Sequence, residues 1–239
     1  SIRDILTKEK IENENKISFV VDSQFCVFNE IFCEDEKNLE FHNNLSGSLN
    51  LSEHLDSYYY PINSRDDHFL GIHIDKGIKQ RLLNAIKENE CKPQVIGIGI
   101  FSSEMLARYV FNAKTLDNYL ILRFISTNLI EVLYIDDGIL NVYGQYKILN
   151  QRVIPIKVFG NIINAKKVKE CITKVVIRGH SRFSKIEKIF LYQTQGQSKV
   201  IKNLIKAKKS KSNLKLLNLF DYDMDSNYSA TFSNSIKHV

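Results

Sequence analysis

The sequence predicts an α/β fold, and three stretches of the chain lead to that class. Residues 69–111 alternate strand, helix, strand and helix, which favours a parallel pairing of the two strands. Residues 119–148 hold three apolar runs joined by two short polar connections, a pattern typical of consecutive antiparallel hairpins. Residues 161–178 repeat apolar side chains at helical spacing. Together these stretches predict sheets flanked by helices.

The chain before residue 69 shows the weakest periodicity. Residues 33–68 are polar and irregular, with Asn43, Asn44, Gly47 and a single Pro61. Such residues are typical of turns and loops. The elements predicted in this part are a short amphipathic helix over 3–12, strands over 16–21 and 25–32, and a small helix near 51–57 that begins at Ser52.

From residue 69 onward the pattern becomes regular. A strand over 69–74 precedes a helix over 75–88, for which Asp75 is a suitable N-cap. The run VIGIGIF over 95–101 is apolar throughout, as expected of a strand buried on both faces. The next helix is predicted to begin at an N-cap, which is either Ser102 or Ser103. Its apolar face consists of Met105, Leu106, Tyr109 and Val110.

The second half of the chain is predicted to begin with these hairpins. Their strands are expected over 119–124, 129–135 and 139–148, with short turns between them. The elements that follow are a helix over 161–178 ended by Gly179, a strand over 188–192, a polar turn over 193–197, a helix over 199–208, a strand over 214–219 and a final helix over 228–239.

Composition is that of a globular protein, since 44% of the 239 residues are hydrophobic and 25% are charged. No apolar run approaches the roughly 20 residues that span a bilayer, and no signal peptide opens the chain. The four cysteines have no CxxC spacing, so we expect reduced thiols in the core of a cytoplasmic protein. The net charge of +6 is modest, and we attribute it to solubility.

Four segments follow an order known from one superfamily. They are FLGIHIDKGIKQRLLNAIKENECKPQVIGIGIFSSEMLARYV, then LILRFISTNLIEVLYIDDGIL with Asp137-Gly138 at its second turn, then VIPIKVFGNIINAKKVKECI, and then KIEKIFLYQTQGQSKVIKNL. In this order they resemble the actin-like ATPase superfamily, in particular the type IV pilus assembly protein PilM and the cytoplasmic part of the type II secretion L protein. The resemblance covers most of the chain and rests on pattern more than on identities.

The resemblance implies a two-lobed actin-like (ribonuclease H-like) fold with mixed sheets flanked by helices. It implies a first lobe over 1–115 and a second lobe over 116–239. In that family, a first phosphate hairpin with the sequence Asp-Ile-Gly lies near the N-terminus, and nothing before Lys16 matches it. The first lobe is therefore expected to be divergent: either it lacks this element, or this sequence begins after it.

The nucleotide motifs of the resembled family are degenerate in this chain. The family's phosphate hairpin uses Asp for magnesium-bound water and Gly so that the backbone can approach a phosphate. Arg123, Phe124 and Ile125 stand at those positions. We therefore expect no catalytic residue, no ATP hydrolysis and no bound cofactor. The remaining candidates for a residual nucleotide cleft are Ser126, Thr127 and Asn128 in the hairpin, and Gln195 and Gly196 in the adenosine loop.

Three clusters of acidic or histidine residues allow both a metal-site and a structural interpretation. Residues 136–138 (Asp-Asp-Gly) fit a hairpin turn, because Asp and Gly tolerate positive φ. The aspartates at alternate positions of 221–225 resemble the start of an EF-hand loop, but Phe232 stands where the bidentate Glu is needed. Residues 66–68 (Asp-Asp-His) and His73 lack a second ligand pair and fit a surface turn. We predict no metal site.

The lysine-rich stretch 199–215 is the best candidate for binding an anion. Because it has no interleaved aromatic or arginine side chains for stacking and base contacts, no nucleic-acid partner is expected. A solvated helix face followed by a polar loop accounts for it. Contact with the cytoplasmic membrane surface is the alternative, which the resemblance to pilus-platform proteins suggests.

The functional hypothesis follows from the resemblance, since fold alone does not determine function. It implies a cytoplasmic scaffold or adaptor, a pseudo-ATPase that works as a component of a pilus or secretion platform. Its protein partner would be a short cytoplasmic peptide of an inner-membrane protein, and the chain would also form a homo-oligomer. Two alternatives stay open: a divergent nucleotide-dependent enzyme, such as a kinase or ATPase that uses the inter-lobe cleft, and an actin-like protein unrelated to pili.

Overall fold

A computed structural model describes residues 16–33, 54–63, 67–88, 91–178, 186–193 and 214–216. The helices in these ranges are α1 (Lys76–Glu88), α2 (Gly99–Val110) and α3 (Ile162–Ile172), and a π-helical turn (Thr173–Ile177) continues α3. The strands are β1 (Lys16–Val21), β2 (Cys26–Phe32), β3 (Leu55–Pro61), β4 (His68–Asp75), β5 (Lys92–Ile98), β6 (Asn118–Phe124), β7 (Leu129–Asp136), β8 (Ile139–Leu149), β9 (Arg152–Gly160), β10 (Lys188–Gln193) and β11 (Leu214–Leu216).

A six-stranded mixed sheet has the strand order β11-β10-β6-β7-β8-β9. Strands β6 to β9 form consecutive antiparallel hairpins, and β10 pairs in parallel with both β6 and β11. The hairpins predicted over 119–148 are therefore confirmed. At the second turn, Asp137 has φ 51° and Gly138 has φ 74°, which confirms the turn predicted for residues 136–138.

Both faces of this sheet are covered. On one face, Leu120 and Leu122 of β6 lie in a core with Val168 and Ile172 of α3 and with residues of β7, β8 and β10. On the other face, Tyr119 and alternate residues of β6 and β7 lie in a core with apolar residues of β1, β2, β4 and α2. Burial on both sides explains why β6 is apolar at nearly every position. The division of the chain at residues 115 and 116 stays a prediction.

The N-terminal strands form two smaller sheets. β2, β4 and β3 make an antiparallel sheet in that order, and β1 pairs in parallel with β5. The parallel pairing predicted within residues 69–111 is therefore wrong in its partners. Because β2 and β3 occupy both edges of β4, the strand β5 pairs with β1 instead of with β4.

Two local predictions are also wrong. The small helix predicted near 51–57 is replaced by β3, where three consecutive tyrosines favour a strand that pairs with β4. Helix α2 begins at Gly99, earlier than the predicted cap, with Ile98 as its N-cap. The hydroxyl of Ser103 donates to the carbonyl of Gly99 at 2.9 Å, so this serine bonds inside the helix instead of capping it.

Other predictions have mixed outcomes. Asp75 lies directly before α1 and its carboxylate accepts a hydrogen bond from the backbone N–H of Ile78, as the predicted cap requires. All four cysteines are buried thiols, as expected. In the described ranges, no helix is long and apolar enough to cross a membrane. Several predictions fall outside the described residues: the helices over 3–12, 199–208 and 228–239, the helix end at Gly179, the turn over 193–197 after its first residue, most of the lysine-rich stretch over 199–215, the strand over 214–219 beyond residue 216, and the aspartates of 221–225.

Candidate functional site

Arg123 lies buried near the end of β6, where the resembled family would place the acid of its phosphate hairpin. Its side chain is 2% exposed, and a charge removed from water must be paired. Arg123 Nη2 lies 2.5 Å from Asp22 Oδ2, and Nη1 donates to Glu131 Oε2 and to Ser23 Oγ, both at 3.0 Å. We call these four residues, together with Tyr143, the Arg123 cluster. The cluster joins the end of β1 to β6 and β7.

In the six-stranded sheet, one residue of each neighbouring strand lies directly opposite Arg123. Glu131 on β7 lies opposite Arg123 in the β6–β7 pair, and Tyr192 on β10 lies opposite Arg123 on its other side. The Tyr192 ring centroid is 5.6 Å from Arg123 Cζ, a cation–π distance. Tyr143 donates from its hydroxyl to the second oxygen of Glu131 at 2.7 Å. Both charges of the buried Arg123–Glu131 pair therefore have further partners, as low-dielectric surroundings require.

The Arg123 guanidinium also lies against the N-terminus of α2. A Cβ atom added to Gly99, the first residue of α2, would lie 2.6 Å from Arg123 Nη1, so the glycine allows this approach. A helix N-terminus is the positive end of the helix dipole and attracts anions such as phosphate. A cation is tolerated here because Asp22 and Glu131 supply two carboxylates. The chain's own ions therefore occupy a place whose electrostatics would suit a phosphate.

Three groups in or beside the Arg123 cluster have raised pKa values. Burial by itself would lower the pKa of Arg123, but Tyr192, Glu131 and Asp22 outweigh it, and the pKa lies above its ordinary value. Burial, and then the charge of Glu131, raise the pKa of Tyr143. Burial, followed by the same two carboxylates, raises the pKa of the neighbouring Cys26 thiol to about 12. None of these three groups can exchange a proton near neutral pH, so none suits general acid–base catalysis.

Three of the five residues predicted for a residual nucleotide cleft, Ser126, Thr127 and Asn128, lie in the turn between β6 and β7. Thr127 and Asn128 are exposed there. Ser126 Oγ donates to Asn128 Oδ1 at 2.9 Å and accepts from the Asn128 backbone N–H at 3.4 Å, so these two side chains bond the turn to itself. Gln195 and Gly196 lie outside the described residues. A nucleotide-binding role for the five residues stays a prediction.

The histidines flagged by the sequence belong to β4, so the predicted surface turn is wrong for His68 and His73. Asp67 does lie in the turn before β4, and Asp66 lies outside the described residues. His68 is 4% exposed and bonds to Asn63 at 2.9 Å and to Glu30 at 3.2 Å. His73 bonds through Nδ1 to Ser57 and through Nε2 to Asn29, both at 2.8 Å. Within the described part of the chain, no three possible ligands come together as a metal site.

We expect His73 to make stability depend on pH. Burial lowers the pKa of His73 below 6.5, so the folded protein favours the neutral ring, which also satisfies both of its hydrogen bonds. A histidine with a lowered pKa contributes stability that is fully present above the unfolded pKa of about 6.5 and is lost as the pH falls below it. Urea unfolding above and below that pH should show a steeper loss for the wild type than for His73→Gln. Parallel pH profiles would contradict this assignment.

An open groove lies between β3, β5, α2 and the turn after β7. Its two connected parts have volumes of about 310 and 270 Å³ and share the side chains of Tyr60, Phe101, Glu104 and Arg108. Four consecutive residues of β5, Val95 to Ile98, line it. Since successive side chains of a strand point to opposite faces, this lining means that β5 presents its backbone edge to the groove. We call this space the β3–β5 groove.

Two polar side chains that line the β3–β5 groove, Glu104 and Arg108, bond to each other, and Tyr119 joins them from outside the lining. Arg108 Nε lies 3.0 Å from Glu104 Oε1, and the Tyr119 hydroxyl donates to the same oxygen at 2.5 Å. Burial, and then Glu104, raise the pKa of Tyr60. The rest of the lining is largely apolar and aromatic, with Tyr58 and Tyr60 each 40% exposed. Such a lining suits an apolar ligand with a few polar groups.

Sequence reasoning missed most of the Arg123 cluster and all of the groove. Glu131 carried a usable signal, because it is the single acid within the apolar run LIEVLY, and the hairpin turn fixes its register opposite Arg123. Asp22 and Ser23 carried no such signal. They lie about a hundred residues from Arg123 along the chain, and only the folded arrangement brings them to it.

Comparisons with known proteins give the fold its context. No protein-family model and no curated protein sequence matches the chain. The chain is similar to the solved structure of the PilM-PilN type IV pilus biogenesis complex, with 10% identity and a TM-score of 0.57, over 99% of this chain and 83% of that chain. It also matches the cytoplasmic domain of EpsL, an inner membrane component of the type II secretion system of Vibrio cholerae, with 7% identity and a TM-score of 0.40, over 89% and 81% of the two chains. Because the identity is only 10%, the match to the PilM-PilN structure shows the fold alone. It confirms the predicted actin-like, PilM-like α/β fold with mixed sheets flanked by helices.

Proposed function

We propose that this chain of PilM-like fold is a non-catalytic scaffold protein of the cytoplasm that holds a segment of an inner-membrane partner in a pilus or secretion platform. The observation that carries the proposal is the buried Arg123 cluster. It stands at the hairpin where the resembled family binds phosphate, and it holds an arginine paired with two carboxylates in place of the family's acid and glycine.

The cluster opposes phosphate binding for two reasons. A phosphate at the N-terminus of α2 would meet the carboxylates of Asp22 and Glu131, and like charges at close range repel. Moving Arg123 toward the phosphate instead would leave Glu131, which is 0% exposed, as an uncompensated buried charge. Both effects therefore make phosphate binding at this position unfavourable.

The β3–β5 groove supports the scaffold half of the proposal. An extended peptide can add to an exposed strand edge through main-chain hydrogen bonds, and pockets for its alternate side chains then give specificity. The edge of β5 offers the main-chain groups, while Tyr58, Tyr60 and Phe101 offer apolar contacts. The similar structure is itself an assembly of two proteins, PilM and PilN. We assign the groove to a short extended segment of the partner.

Calorimetric titration with magnesium ATP and magnesium ADP tests the non-catalytic half. We expect no saturable heat and no phosphate release, because the Arg123 cluster fills the phosphate position. Thr127→Ala and Asn128→Ala, which remove the exposed polar groups of the β6–β7 turn, should behave like the wild type. Saturable binding with turnover that either substitution abolishes would favour the divergent nucleotide-dependent enzyme and overturn the proposal.

Co-purification from membranes of the native host tests the partner half. The wild type should retain a membrane-anchored protein of a pilus or secretion platform. Tyr58→Ser/Tyr60→Ser should bind this protein at least tenfold more weakly, and a tenfold change in affinity corresponds to about 1.4 kcal/mol. Val27→Ser removes an apolar side chain of β2 that is 53% exposed and does not line the groove, so it is the matched control and should retain the partner. If no platform protein is retained by the wild type, the connection to pili and secretion fails. Equal losses in both variants would remove the groove as the binding site.

A further inference from the structure

The edge of the six-stranded sheet formed by β9 and α3 exposes unusually large apolar side chains. Ile154 and Ile156 of β9 are 41% and 50% exposed, and Ile162 and Ile163 in the first turn of α3 are 73% and 68% exposed. Isoleucine is among the residues most often fully buried in proteins, so four exposed isoleucines on adjoining elements suggest a contact surface. We call this surface the β9–α3 edge.

The same part of the chain is strongly basic. Between residues 147 and 178 the single acidic residue is Glu170, and it pairs with Lys174 at 2.6 Å, so its charge is compensated. In α3, Lys166 and Lys167 are exposed one turn after the isoleucines, while Val168 and Cys171 face the core. The exposed cations of this stretch are Lys147, Arg152, Lys157, Lys166, Lys167, Lys169 and Arg178.

β9 is poorly suited to pairing with another strand. Pro155 has no N–H to donate, and a register shift against β8 between Gln145 and Tyr146 leaves Ile156 out of the ladder. Proline, bulges and lysine are the usual protections of an edge strand against pairing with a further strand. A second copy of the chain seated on this edge would also bring Arg152 and Lys157 against cations of the same kind. The exposed isoleucines and the surrounding cations therefore fit a partner that is both apolar and negatively charged.

We propose that the β9–α3 edge binds the surface of an anionic lipid bilayer. The isoleucines enter the boundary between headgroups and acyl chains, as the apolar face of an interfacial helix does. The surrounding lysines and arginines contact lipid phosphates, which attract basic segments near the membrane surface. This binding does not depend on the β3–β5 groove, and it would hold the scaffold flat on the membrane in which its proposed partner is anchored.

Co-sedimentation of the purified chain with vesicles tests this assignment. The wild type should bind vesicles of equimolar phosphatidylcholine and phosphatidylserine, bind pure phosphatidylcholine at least tenfold more weakly, and lose binding as salt is raised. Removal of one lysine charge should weaken binding about fivefold. Because Lys166→Glu/Lys167→Glu reverses two charges, it should weaken binding by more than fivefold for each residue. Ile162→Ser/Ile163→Ser should weaken it at least tenfold at any salt concentration. These four side chains are exposed, so the variants are expected to fold, and circular dichroism checks that they do.

Two control variants carry the same kinds of change elsewhere. Tyr109→Ser removes an apolar side chain that is 58% exposed on α2, and Arg81→Glu/Lys87→Glu reverses two exposed charges on α1. Both should bind anionic vesicles like the wild type. Failure of the wild type to bind, or equal losses in the controls, would overturn the proposal. So would a change from dimer to monomer in Ile162→Ser/Ile163→Ser with vesicle binding unchanged, since that result assigns the edge to a second copy.

Discussion

Replacement of Arg123 with alanine is expected to lower the free energy of unfolding by about 3–5 kcal/mol, because it leaves a buried carboxylate without its partner. Glu131 is 0% exposed, and its two oxygens accept from Arg123 and Tyr143. Without the guanidinium, the carboxylate keeps only the Tyr143 hydroxyl and has to stay charged in a poorly solvated position or take up a proton. Urea denaturation followed by circular dichroism measures the loss.

A double variant separates the cost of breaking this ion pair from the cost of changing the core. In Arg123→Met/Glu131→Leu both charges are absent, and buried ion pairs replaced by apolar side chains are often neutral in stability. We expect the double variant to recover most of the loss. Asp22→Ala should cost less than Arg123→Ala, because the side chain of Asp22 is 26% exposed and water can replace it. A loss below about 1 kcal/mol for Arg123→Ala would contradict the buried cluster.

Gly160→Ala is expected to destabilise the protein by roughly 2–5 kcal/mol, since two separate penalties coincide at this residue. Gly160 has φ 106°, a conformation that side chains with a Cβ rarely adopt. An added Cβ would also fall on the backbone carbonyl oxygen of Asn141, which belongs to β8 and cannot rotate away as a side chain can. The Gly160 backbone N–H donates to Glu30 of β2, so any shift of the chain here also disturbs that bond.

Gly138→Ala is the matched control for Gly160→Ala. Gly138 also has a positive φ, of 74°, but no heavy atom lies within 4 Å of the place where its Cβ would stand. We expect it to cost roughly 1 kcal/mol, the cost of the left-handed conformation alone. Thermal unfolding of both variants measures the difference. If the two substitutions cost the same, the close approach at Asn141 contributes nothing.

Local patterns predicted those elements whose partners are neighbours along the chain. The hairpins of β6, β7 and β8 follow from apolar runs and from an Asp-Gly turn that accepts positive φ. The helix over 161–178 follows from its apolar period, although no pattern indicated the π-helical turn at its end. The partner of β5 could not be predicted, because β1 lies far from it along the chain, with β2, β3, β4 and α1 among the described elements between them.

The candidate site shows the same limit. The sequence located Arg123 as the residue that replaces the expected acid, and the paired glutamate follows from hairpin register. It gave no indication that Asp22 and Ser23 would complete the cluster, nor that Gly99 would let the guanidinium reach the helix. These contacts depend on how β1 and α2 pack on the sheet, and a one-dimensional pattern does not encode the distance between elements.

The Arg123 cluster also has a consequence for regulation. When a free ligand holds two parts of a protein together, the fraction of protein in the bound conformation depends on the concentration of that ligand. The affinity for a partner then depends on the ligand as well. Here the joining ions are covalently part of the chain, so their effective concentration is constant. If the chain is the scaffold proposed above, we expect its affinity for the partner to be independent of the concentration of free nucleotide.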